Sequence, residues 1–100
     1  MIKLNIPEKV KIGGFIIKVK EVADLMIERD HLGEYHPKYQ EIHIDDSHTR
    51  QQKEETFMHE LFEAVDSIYN IQLEHDKMTL LATVFHQVLK DNDLNIRALQ

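Results

Sequence analysis

The chain has 100 residues, 42% of them hydrophobic and 30% charged, with a formal net charge of −6 and no cysteine. These values describe one small soluble domain with a modest core, and they exclude a disulfide framework or a thiolate metal site. The acidic balance and the lack of any long apolar run point away from nucleic acid and membranes, and a cytoplasmic setting is expected.

In chain order, Ile2, Leu4 and Ile6 alternate with Lys3 and Asn5, a short strand that Pro7 would end. Val10 and Ile12 alternate with lysines before Gly13-Gly14, and Phe15, Ile17 and Val19 alternate after it. Two period-2 runs around Gly-Gly predict a hairpin, both glycines tolerating positive φ. Residues 22–30 read as a short helix or an irregular connector. A second extended pair follows, Glu34 to Tyr39 and Gln40 to Asp45, turning at Pro37-Lys38. Ile42 and Ile44 would face one way and Glu41, His43 and Asp45 the other, a polar alternation that suits a sheet edge.

Asp46, Ser47 or Thr49 can cap the next helix, which should run to about Tyr69 with Asn70 in a left-handed conformation beyond it. Phe57, Met58, Leu61, Phe62, Val65, Ile68 and Tyr69 fall on one broad stripe of that helix. His59, Glu63, Asp66 and Asn70 collect opposite, with Glu60 at one flank. Asp76 reads as the cap of a last helix, Lys77 to about Asp91, with Met78, Leu81, Ala82, Phe85, Val88 and Leu89 inward and Leu80 and Val84 widening a well-buried face. The tail from residue 92 has no clear period. No linker or repeat divides the chain, so one domain spans 1–100.

The segment His59-Glu60-Leu61-Phe62-Glu63 carries the chemistry. His59 and Glu63, at i and i+4, lie one turn apart on one face and can share a metal ion. Glu60 is rotated roughly 60° from Glu63, enough to miss the ion yet reach a water bound to it. That is the logic of H-E-x-x-H with glutamate at the second ligand position. Between Glu54 and Asp76 stand seven acidic residues and no Lys or Arg, a negative field that a cation would relieve. A catalytic zinc site needs a third protein ligand, and His75 is the candidate. Residues 64 to 69 carry the chain about 9 Å along the helix, and the extended connector 70 to 74 can travel about 16 Å, enough to return beside Glu63. Glu74 and Asp76 are fallback ligands. Asp66 can hold the free nitrogen of a ligand histidine. Tyr35, Tyr39, His36 and His43 are candidate oxyanion partners, while His31, His48 and His86 read as surface residues.

The segment Thr56 to Val65 resembles the zincin metallopeptidases, whose helix favours Val or Thr three before the histidine and uncharged residues around the motif. The wider layout, roughly residues 9 to 92, resembles short metallopeptidase-like proteins of phages and mobile elements and their ImmA-type relatives. The resemblance implies an α+β fold, a small antiparallel sheet packed on the H-E-x-x-E helix and a C-terminal helix. It implies a zinc-dependent peptidase with His59 as a ligand and Glu60 as general base, beside which the spacing sets Glu63 and His75 as the other ligands; a peptide or protein substrate could add as a strand to the edge near Gln40 to Asp45. Glu63 departs from the usual histidine, exchanging roles with His75 relative to the branch that uses two histidines and a glutamate. The alternative reading is a regulatory or protein-interaction protein on a degenerate zincin fold, with its metal structural or absent. Oligomeric state and substrate are open.

Overall fold

The computed structural model describes residues 6–25 and 31–92. The expected strand at Ile2–Ile6, most of the 22–30 connector's second half and the tail lie largely outside these residues. The fold is α+β. Its elements are β1 (Lys9–Ile12), β2 (Phe15–Val22), β3 (Gly33–His36), β4 (Glu41–Asp45), α1 (Arg50–Tyr69) and α2 (His75–Asp91).

The Gly13-Gly14 turn joins β1 to β2 in the antiparallel register Val10↔Ile17 and Ile12↔Phe15. Only Gly13 takes positive φ, +58°, where a Cβ would meet the Tyr69 hydroxyl at 3.0 Å. Tyr35 pairs with Ile42 across the antiparallel β3–β4 hairpin, which turns through Pro37–Gln40. The sheet order is β1-β2-β4-β3, and β2 and β4 run parallel, Val19 beside Ile42. The sheet is therefore mixed rather than antiparallel throughout, and Glu41–Asp45 is an interior strand. The edges among the described strands are β1 and β3. Polar alternation misled here because Glu41 and His43 occupy the sheet face away from the helices, where Lys20 reaches Glu41 at 2.9 Å and His43 reaches it at 2.8 Å.

Val10, Ile12, Ile17, Ile42 and Ile44 line the other face and pack on Phe57, Met58 and Ala64 of α1 and Ala82 and Leu89 of α2. Alternation at period 2 thus meets a helical stripe, which is what a sheet with one covered face requires. Thr49 caps α1, its hydroxyl accepting from Gln52 N–H at 3.2 Å while the Gln52 side chain accepts from Thr49 N–H at 3.4 Å. The helix stops at Asn70, left-handed at φ 52°.

α2 starts two residues before the expected place. Glu74, not Asp76, is its N-cap residue, and Asp76 lies in the first turn, where its charge suits the helix dipole. The helix is also less buried than its composition suggests. Met78, Ala82, His86 and Leu89 are inward, whereas Leu80, Leu81, Val84, Phe85 and Val88 are exposed. His86 is a correction too: it is 3% exposed, and its Nε2 lies 3.0 Å from Glu54 Oε1, itself buried. Helical periodicity placed Leu and Val inward because it could not register a histidine whose partner stands 32 residues earlier. His48 is half-buried beside Asp45, at 3.4 Å, rather than a plain surface residue.

The Glu54–His86 pair clamps α1 to α2, with Arg50 Nε 3.4 Å from the same carboxylate. Removing His86 takes from the buried Glu54 carboxylate its 3.0 Å partner and leaves a gap between the helices. We expect His86→Ala to lower stability by about 3 kcal/mol, and a Glu54→Leu/His86→Leu double variant to lose clearly less. Urea denaturation of the variants checks this; equal losses in both would contradict it.

Candidate metal centre

Three elements converge on one cleft. α1 supplies Gln52, Glu55, Thr56, His59, Glu60 and Glu63, α2 supplies His75, Thr79, Ala82 and Thr83, and the start of β3 closes it with His31, Leu32 and Gly33. A second, adjoining hollow continues along β3 past Glu34, Tyr35 and His36. Gly33 is needed for this approach. A Cβ there would stand 2.5 Å from Thr56 Cγ2 and 3.1 Å from Glu60 Cγ, so a larger residue would force those side chains, or the helix that carries them, to give way.

His59, Glu63 and His75 each offer one donor atom, and those atoms lie within 4.8 Å of one another, the one such group among the described residues. His59 Nε2 is 3.9 Å from Glu63 Oε1, and the rings of His59 and His75 meet edge to face with centroids 5.5 Å apart. Donors around a tetrahedral zinc stand about 3.3 Å apart, so the widest pair would have to close by up to about 1.5 Å, a distance side-chain rotation can cover. Burial pushes the His59 imidazolium toward its neutral form, an effect Glu63 opposes and His75 reinforces, and neutral imidazole is the ligating form. Glu74 and Asp76, the fallback ligands, are not in this group.

Glu60 is not on an open flank. It is 5% exposed, against β3, and its Oε1 has no hydrogen-bond partner. Burial, with Glu63 and Glu34 close by, pushes its carboxyl up to about 8. A cation in the adjoining donor set would oppose both effects and favour the carboxylate.

The reversal between the helices sets where His75 stands. Asp66 Oδ1 accepts from Leu73 N–H at 2.8 Å, and its carbonyl accepts from Asn70 N–H and, at 3.1 Å, from Ile71 N–H. Asp66 therefore holds the connector and not the ring of a ligand histidine, as the spacing had suggested. Of the expected oxyanion partners, Tyr35 and His36 line the hollow beside Glu60. Tyr39 is 66% exposed, and His43 is bonded to Glu41 away from the cleft. Glu34 was missed by sequence reasoning. It accepts from His31 at 2.8 Å and His36 at 2.9 Å and forms the rim. Its signal was faint: a Glu flanked by histidines at −3 and +2 around a glycine. His31, read as a surface residue, is exposed but belongs to the cleft wall.

In the metal-free protein, Glu60 ionises near 8 when folded and near 4.5 otherwise, so its contribution to stability is fully present below pH 4.5 and lost as pH rises through 8. Glu60→Gln should gain on wild type across that window, by on the order of a few kcal/mol, in chemical denaturation at several pH values. A pH-independent difference would contradict the burial argument. Asp66→Ala should weaken metal affinity about tenfold or more while Asp66→Asn, which keeps an acceptor for Leu73 N–H, holds close to wild type in a metal titration. The same loss in both variants would show that charge, not the connector bond, matters.

Compared with known proteins, the chain matches no family model, no curated protein and no solved structure, so what the site can do follows from its own geometry.

Proposed function

We propose that the cleft is a zinc site and that the protein is a zinc-dependent peptidase of minimal zincin type, of the phage or mobile-element kind its sequence resembles. The observation that carries this is the convergence of His59, Glu63 and His75 beside a buried carboxylate, Glu60, with an unpartnered oxygen. The donor chemistry fits: two imidazoles and one carboxylate suit zinc and leave it a net charge near +1. When bound, zinc would supply a Lewis acid that polarises a carbonyl and acidifies water.

The chain's own residues would do the rest. Glu60 takes a proton from water as the water oxygen bonds to the scissile carbonyl carbon, and returns it to the departing nitrogen as the C–N bond breaks. Glu63 ligates. Asp66 positions His75 through the connector. An extended peptide would pair with the edge strand β3, which runs beside Glu60, instead of the interior Glu41–Asp45. Glu34, Glu55, Glu60 and Glu63 line the two hollows with no Lys or Arg among the lining residues, so a segment bearing basic side chains is favoured over an acidic one.

A metal-binding regulatory protein without hydrolytic activity is the second reading. The same lack of a cationic side chain favours it, since oxyanion stabilisation would fall to Tyr35, His36 or His31.

Purified protein should hold one zinc per chain, measured by elemental analysis, with binding lost in His59→Ala and Glu63→Ala but kept in Glu60→Gln. A Lys/Arg-containing peptide library should be cleaved by wild type and about a thousandfold or more slower by Glu60→Gln. Zinc without cleavage selects the regulatory reading. Undiminished binding in the ligand variants rejects both.

A further inference from the structure

The outward face of α2 is apolar and, among the described residues, largely uncovered, with Phe85 at its border meeting Phe62 edge to face. Leu80 is 63% exposed, Leu81 47%, Val84 46%, Phe85 38% and Val88 39%, and on a helical projection all five fall within roughly 140° of one another. The inward residues Met78, Ala82, His86 and Leu89 occupy the other side, and His75, Thr79 and Thr83 turn toward the cleft. The strip is continuous over about two and a half turns, roughly 12–14 Å, which a solvated helix of a monomer does not need.

Two charges end the strip, each at the wrong end of the helix. Lys77 stands in the first turn, where the helix dipole disfavours a cation, and Asp91 is the last helical residue, where it disfavours an anion. Both are exposed and lie on the axis of the apolar strip. Asp91 receives only a neutral hydrogen bond of 2.9 Å from Gln87 among the bonds recorded for it. The two charges stand seven residues to either side of Val84. An antiparallel copy of the same helix, centred on Val84, therefore sets Lys77 against Asp91 twice and Leu80 against Val88 twice. It also sets each misplaced charge against an opposite one. A parallel copy would oppose like with like.

We propose that this face is a self-association surface, through which two copies of the chain pair by antiparallel α2 helices about a two-fold axis at Val84. The arrangement is isologous and closed, so it stops at a dimer. Because the cleft lies on another side of α2, both candidate metal centres stay open. The proposal does not depend on what they bind.

Sedimentation velocity of the full chain over about a hundredfold range of concentration should show a monomer–dimer equilibrium, which Val84→Glu shifts to monomer with an unchanged circular dichroism spectrum. Lys77→Glu and Asp91→Lys should each weaken the dimer about tenfold, and the double exchange should recover most of that loss. These positions are exposed, so the exchange remains informative if Val84→Glu fails to fold. The native chain has no cysteine, so Val84→Cys should yield a disulfide-linked dimer on oxidation. A wild type that stays monomeric overturns the proposal, and so does a double exchange no tighter than its singles. A monomer that Val84→Glu destabilises would mean that other residues of the same chain, or another partner, cover the strip.

Discussion

Everything at the candidate centre depends on the reversal between the two helices. A helix alone can present His59 and Glu63 together, because i and i+4 share a face. It cannot supply a third ligand at the same height without bending back on itself. Residues 70–74 do this with two left-handed residues, Asn70 at φ 52° and Gln72 at φ 63°, neither of them glycine. Each such residue costs about 1 kcal/mol in backbone strain. The three hydrogen bonds that end on Asp66 offset the cost and fix where α2 begins. His75 is the first residue of that helix, so its ring inherits the position of the bend.

Packing and charge around the reversal are arranged to the same end. The Glu54–His86 pair and the edge-to-face contact of Phe62 with Phe85, centroids 5.6 Å apart, hold α2 alongside α1 below the bend. Gly33 lets β3 come close enough to bury most of Glu60 at the edge of the cleft. Burial then acts in opposite directions on two neighbours: it favours neutral imidazole at His59 and neutral carboxyl at Glu60. A cation in the candidate centre would meet a neutral imidazole at His59 and would favour the carboxylate form of Glu60.

Much of this was legible in the residues. The His59/Glu63 spacing, the left-handed Asn70 and the reach of the connector follow from helix geometry and chain length, and the Gly13-Gly14 hairpin from turn chemistry. What failed was non-local. No pattern within Gln40–Asp45 says that β2 will pair with it in parallel, because that choice depends on a strand far earlier in the chain. His86 looked like a surface residue because its burial depends on Glu54, a carboxylate on another helix. The apolar residues of α2 were assigned to the core by periodicity, yet one small sheet and one helix can cover only part of that circumference. Asp66 was expected to hold a ligand histidine and instead accepts from the connector, since the backbone N–H of a bend is invisible in a side-chain pattern.

The most direct test of the central claim is X-ray absorption at the zinc edge on the loaded protein, wild type against His75→Ala. The geometry predicts a first shell of two imidazoles and a carboxylate in wild type, with one imidazole lost in the variant. A shell with a single imidazole in wild type, or one that His75→Ala leaves unchanged, would show that the bend does not deliver the third ligand.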